Sequence, residues 1–154
     1  MVVYCPSGVL KNREVHLSFS DRNTLCLRFD RGEEFVATLK QYCTDMKIRA
    51  GRFSAIGAAD RILLSWYDVD SKQYVDRIVE GIFEIVSLAG NVTTMNDTSV
   101  IHAHGSFAGS DFIVFGGHIK ELTVGATCEI TFLPLRQKLT RTHDDAIGLK
   151  LLHP

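Results

Sequence analysis

Ile-His-Ala-His at 101–104 is followed, one hairpin's length later, by Gly-Gly-His at 116–118. Alternate residues of a β-strand face the same way, so His102 and His104 project together from Cα atoms roughly 6–7 Å apart. Two imidazoles at that spacing converge on one ion. A third, His118 on the neighbouring strand, completes the protein half of an open zinc-type site and leaves one position for water or substrate. Neutral imidazole serves zinc, nickel, copper and iron, so residue type points to a divalent metal, with zinc expected, without choosing it.

The elements around these residues decide whether they meet. Between Val100 and Phe107, Ile101, Ala103 and Phe107 share one strand face and His102, His104 and Ser106 the other, so the histidines line a polar face together. Pairing Ala108 with Phe112 around a three-residue loop, Gly109-Ser110-Asp111, sets His118 opposite His102 and Gly116 opposite His104. A slip of one residue would turn His118 to the other face. Gly116 and Gly117 carry no side chain to block an ion or ligand. The competing reading is a polar strand face on which histidines fall by chance.

Two carboxylates are candidates to serve the centre. Glu84 shares its strand face with Ile82, Val86 and Leu88, an awkward place for an unpaired charge. It is read as a fourth ligand, as a carboxylate behind a histidine, or as the general base on metal-bound water. A salt bridge to Arg28 or Arg52 competes with all three. Glu129 shares a face with Thr123, Thr127 and Thr131 and is assigned to a solvated or subunit-facing surface. His16, His143 and His153 receive no role.

The chain's 154 residues suit one domain, and its 45% hydrophobic and 23% charged content is that of ordinary globular proteins. A formal net charge of −1 weighs against a freestanding nucleic-acid binder, which needs basic surface to neutralise phosphates. Met1–Leu10 lacks a basic region ahead of an apolar run, and no stretch is long enough to span a membrane, so a cytoplasmic protein without a membrane association is expected. The four cysteines, Cys5, Cys26, Cys43 and Cys128, form no C-x-x-C pair and read as reduced core residues. No Walker loop, Rossmann fingerprint or G-x-S-x-G elbow is present.

Residues 14–19 and 24–29 alternate as strands do. Asp-Arg-Gly-Glu-Glu then opens a helix with Glu33 and Glu34 in its first turn, and Phe35, Val36, Leu39, Tyr42, Cys43 and Met46 recur at helical spacing. Strands are expected at 52–58, 61–68, 73–79, 82–89, 100–107, 112–118 and 122–133, with 91–99 as a loop. The fold class is α+β: a single domain, a curved and largely antiparallel sheet with one main helix packed on it. Residues 134–154 form a C-terminal extension whose Arg136, Lys138 and Arg141 read as a small, solvated basic patch.

Phe-Asp-Arg-Gly-Glu-Glu-Phe at 29–35, Phe-Ser-Ala-Ile-Gly-Ala at 53–58, Phe-Glu-Ile-Val-Ser-Leu-Ala-Gly-Asn at 83–91, His-Ala-His at 102–104, Gly-Gly-His at 116–118 and Ala-Thr-Cys-Glu-Ile at 126–130 occur in that order. Together they resemble the plants-and-prokaryotes-conserved (PPC) domain in its stand-alone prokaryotic form, over about residues 14–133. The resemblance implies an α+β fold, a homotrimer, and metal ligation by His102, His104 and His118. The fold is also similar to that of acetolactate decarboxylases, whose later histidine is spaced differently. In plants the domain follows an AT-hook that does most of the DNA binding, and no Arg-Gly-Arg-Pro hook occurs here.

The expectation is therefore a homotrimeric protein that holds one divalent ion, with zinc-type hydrolase or lyase chemistry on a small molecule if it is an enzyme, and Glu84 moving the proton. The alternative is a DNA-binding or transcription-associated module.

Overall fold

The computed structural model describes residues 15–21 and 23–153, so the readings that rest on Cys5, residue 14 and the first ten residues lie outside it. The elements run β1 (His16–Asp21), β2 (Thr24–Asp30), α1 (Phe35–Asp45), β3 (Gly51–Asp68), β4 (Gln73–Met95), β5 (Thr98–Ala108), β6 (Val114–Pro134), β7 (Thr140–Asp144) and β8 (Leu149–His153). All eight strands join one sheet, antiparallel except where β7 meets β4 in parallel at Thr94 and Thr140. Because β5 pairs with both β4 and β6, and β3 does the same from the other side, these four strands close a ring. The described residues are thus mostly β-sheet with one short helix, in keeping with the α+β reading.

Three expected breaks are continuous strand. Ala58–Asp60 and Glu80–Gly81 do not end strands. They sit at register shifts between Ala59 and Arg61, where β3 and β4 bulge against each other. A bulge inserts extra residues without breaking the ladder and bends the strand. At Gly57, with φ +146°, an added Cβ would lie 2.0 Å from the Thr127 carbonyl oxygen, so the glycine there permits close approach of β6. The segment 91–99 is not a loop either. β4 runs on to Met95, reverses through Asn96 and Asp97 at φ 49° and 56°, and returns as β5. Two successive positive φ values are the signature of a type I′ hairpin turn.

The helix also begins one step later than expected. Glu34 is its N-cap rather than a first-turn residue, and its carboxylate accepts the backbone N–H groups of Val36 and Ala37 and, at 3.0 Å, of Leu122 on β6. Glu33 lies outside the helix and its carboxylate accepts the N–H of Asp30. At the other end Lys47 adopts φ 55°, while Ile48 N–H bonds to Cys43 O and Lys47 N–H to Thr44 O, a Schellman close. Phe35, Leu39, Tyr42 and Cys43 are buried, with Val36 and Met46 packed beside them, as the helical spacing requires. The helix lies over the inner face of the ring, where Phe29, Phe35, Phe53 and Phe132 form a chain of ring contacts with successive centroids 5.7, 5.8 and 6.3 Å apart. Beyond the expected elements, β7 and β8 form a hairpin from the C-terminal extension.

Candidate metal centre

The His face of β5 points away from this core. Ala103 and Phe107 are buried, while His104 is exposed and His102 half-buried. The hairpin that brings in β6 has five loop residues, 109–113, because a turn closes from Phe112 N–H to Gly109 O and Ala108 pairs with Val114. His118 therefore stands opposite His104, not His102, and Gly116 opposite Ser106. The register differs from expectation by two residues. Since the side-chain period of a strand is two, His118 keeps its face.

The three rings form a near-equilateral triangle with centroids 5.2, 5.2 and 5.3 Å apart, and one ligand atom from each lies within 4.8 Å of the others. With metal–nitrogen bonds near 2.0–2.1 Å, a ring centroid sits about 3.2 Å from the ion, and tetrahedral angles then separate centroids by about 5.2 Å. The centroid spacing suits three ligands of a four-coordinate ion, which would leave one position for water or substrate. Burial, His102, His104, Lys120 and Arg141 together push His118 down to about 4. Burial, then Arg141 and His104, lower His102 as well. Both imidazoles are neutral at pH 7, the form that ligates metal.

The strands set these residues in one row. Asp76 on β4 pairs with Ser65 on β3, Ser65 with His118, His118 with His104, and His104 with Ala89, which is again on β4. Asp76 accepts hydrogen bonds from Ser65 Oγ and, at 2.8 Å, from Lys120 Nζ, which hold its carboxyl below the ordinary range. Tyr74 stacks on His118 with centroids 5.6 Å apart and carries Lys120 over its ring. Two residue pairs along, on the same face, Asn91 stands opposite His102.

Arg141 reaches the same face from β7. Its guanidinium donates to Thr93 Oγ1 at 2.9 Å, Asn91 Oδ1 at 2.9 Å and Lys150 O at 2.7 Å, and its Nη2 lies 3.3 Å from His102 Nδ1. The basic patch expected on the C-terminal extension is thus not wholly solvated: Arg141 is tied into the site, while Lys138 pairs with Asp97. Alternation in Thr-Arg-Thr-His at 140–143 and the Asn-Asp turn were the available signals for β7 and for the strand carrying Asn91. Asp76, Tyr74 and Ser65 had none, because only cross-strand pairing brings them near His118.

Glu84 is not brought to the histidines. It is exposed and pairs with Ala108, four residues beyond His104 and so about 13 Å along β5. The awkward burial inferred for it does not arise, since Ile82 and Val86 are 61% and 50% exposed and a bulge between Ile85 and Ser87 resets the faces. Neither Arg28 nor Arg52 pairs with it among the described residues; Arg28 binds Asp30. Gly116 also differs in role. A Cβ there would lie 2.3 Å from the Gly105 carbonyl oxygen, so the glycine lets β5 and β6 approach rather than clearing space for an ion. Glu129 is exposed, as expected. His16 pairs with Asp30 and His143 with Asp145.

Comparison with known proteins identifies the family to which this fold belongs. A family model for the Plants and Prokaryotes Conserved (PCC) domain matches residues 17–135, and the chain belongs to that family. It is similar to the solved structure of a metal-containing protein from Archaeoglobus fulgidus, at 31% identity and a TM-score of 0.80, covering 94% of this chain and 100% of that one. A plant- and prokaryote-conserved protein from Pyrococcus horikoshii aligns at 27% identity and a TM-score of 0.80, over 94% and 98% of the two chains. A protein from Ralstonia eutropha described as a "putative DNA-binding protein" aligns at 28% identity and a TM-score of 0.80, over 84% and 90%. No curated protein sequence matches the chain.

Proposed function

We propose that this PCC-domain protein binds one divalent metal ion, of the zinc type, through His102, His104 and His118. The observation that carries the reading is the triangle of three imidazoles with centroids 5.2–5.3 Å apart, a spacing that suits tetrahedral ligation. The similar Archaeoglobus protein being metal-containing supports it. A bound ion with an open position would polarise a carbonyl or activate water on a small molecule. Among the described residues Asp76 lies in the same cross-strand row as His118, two strands away, with its carboxyl held low chiefly by Lys120, while Glu84 pairs with Ala108, too far from His104 to move a proton there.

The functional unit is read as a homotrimer in the cytoplasm. Trp66, Val75, Ile78 and Ile82 on β3 and β4 are all more than half exposed in the single chain, the kind of apolar surface that self-association covers. Among the described residues no helix is long and apolar enough to cross a membrane.

Elemental analysis of untagged protein tests the centre. About one ion per chain is expected in the wild type, lost in His104→Ala and His118→Ala, and retained in Glu84→Gln. Metal-free protein that takes up no zinc on incubation would sink the reading. The likeness to the Ralstonia protein favours a second reading, a DNA-binding module. It requires duplex binding that weakens steeply with salt.

A further inference from the structure

Beside the triad lies a cavity of about 400 Å³, within the size range of small-molecule sites, that the metal centre does not account for. Tyr74, His102, His118, Arg141, His143 and Lys150 contribute its polar wall, and aliphatic side chains of β5 and β8 contribute the rest. Among the described residues no Asp or Glu lines it. Arg141 is part-buried there, and among the described residues every group it bonds is neutral: a hydroxyl, an amide oxygen, a backbone carbonyl and an imidazole. A part-buried guanidinium whose partners are all neutral carries a charge that no neighbouring carboxylate balances, and an anion in the cavity would balance it.

We propose that this cavity binds a small organic acid, with the ligand's carboxylate on Arg141 and a second oxygen directed to the triad. The proposal deepens the metal reading, on which its second contact rests. A guanidinium has five N–H donors, and the four contacts of Arg141 leave one uncommitted. The contact to His102 must also end when a metal binds. Arg141 can only donate, so His102 Nδ1 accepts, which requires the lone pair there and the proton on Nε2. If the ion takes Nδ1, that lone pair is gone. If it takes Nε2, Nδ1 becomes N–H and faces another donor. Either way metal loading releases a second N–H from Arg141, and two donors match the two oxygens of a carboxylate. The apolar remainder of the wall suits a short carbon chain better than the fully polar surface of a phosphate. Arg141, His143 and Lys150 all come from the hairpin beyond residue 135, so this specificity is carried outside the matched family region.

Calorimetric titration of malonate into zinc-loaded and metal-free protein tests the inference, with inorganic phosphate and a short DNA duplex as parallel arms. Malonate is expected to bind the zinc-loaded wild type more tightly than the metal-free form. Arg141→Gln should weaken it at least about tenfold at unchanged metal content, the loss expected for one charge-assisted hydrogen bond. Lys150→Met, which keeps the backbone carbonyl that Arg141 uses, provides a second readout if Arg141→Gln fails to fold, with weaker malonate binding again expected. Equal malonate binding by wild type and the folded variants, or none to zinc-loaded wild type, overturns the proposal while leaving the metal reading intact. Binding that needs Arg141 in a protein that takes up no metal supports the acid site and sinks the metal reading instead. Phosphate binding without malonate binding, or displacement of malonate by duplex, reassigns Arg141 to phosphate and also overturns it.

Discussion

His118 is the residue on which the centre turns, because it belongs to two pairs at once. It faces Ser65 across β3 and His104 across β5, at the point where β6 passes from one partner strand to the other. That junction demands close backbone approach, and Gly116 provides it two residues earlier. Gly116→Ala places a methyl carbon 2.3 Å from the Gly105 carbonyl oxygen, a contact that backbone must relieve by moving. The variant is expected to lose metal although all three histidines remain, and to melt below the wild type. Elemental analysis beside thermal unfolding measures both. Full metal content in Gly116→Ala would show that the β5–β6 spacing does not hold the triad.

Two short elements hold the sheet's layers together. Glu34 binds the first turn of α1 and Leu122 of β6 with one carboxylate, so the helix start and the strand leading from His118 share a side chain. Glu34→Ala leaves these N–H groups without that acceptor. A loss of about 2 kcal/mol is expected, at the upper end for an N-cap because a strand contact goes with it. Urea unfolding followed by circular dichroism measures this, and a change below about 0.5 kcal/mol would remove Glu34 from this role. The hairpin β7–β8 acts similarly at the other end. Arg141 fastens it to Asn91 and Thr93, and Thr94 N–H adds a bond to Leu139 O. Sequence patterning marked the helix through its buried stripe. It missed β7 and β8 because each is only five residues long, too short for their alternation to stand out.

At the scale of the whole molecule, burial governs two of the thiols, while Cys26 is only partly buried. Cys43 under the helix and Cys128 in β6 are both raised from the ordinary 9.0 to about 12, chiefly by burial. An acid whose value is raised on folding stabilises the fold below its unfolded value. The unfolded chain therefore gains thiolate first as pH rises, and stability should fall progressively between about 9 and 12. Denaturant midpoints at pH 8 and pH 10 are expected to drop from the first to the second. Iodoacetamide at pH 8 should label Cys43 and Cys128 only after unfolding, and peptide mass mapping reads this out. Rapid labelling of either in the native protein would contradict the burial on which the shift rests.

Local pattern by itself determined the helix stripe, the mostly β character and the shared face of His102 and His104. Each of those depends only on a period of 3.6 or of 2, which is written in consecutive residues. It also put His118 on the right face despite a misread loop, since an error of two residues leaves a strand's faces unchanged. Tertiary structure alone decided which strand residue stands opposite which. It turned expected breaks into bulges, left Glu84 solvated at a distance, and gathered Asp76, Tyr74 and Arg141 around the triad from strands far apart in the chain. Long-range pairing depends on how the ring closes, and closure is a property of bends and registers summed over four strands rather than of any one segment.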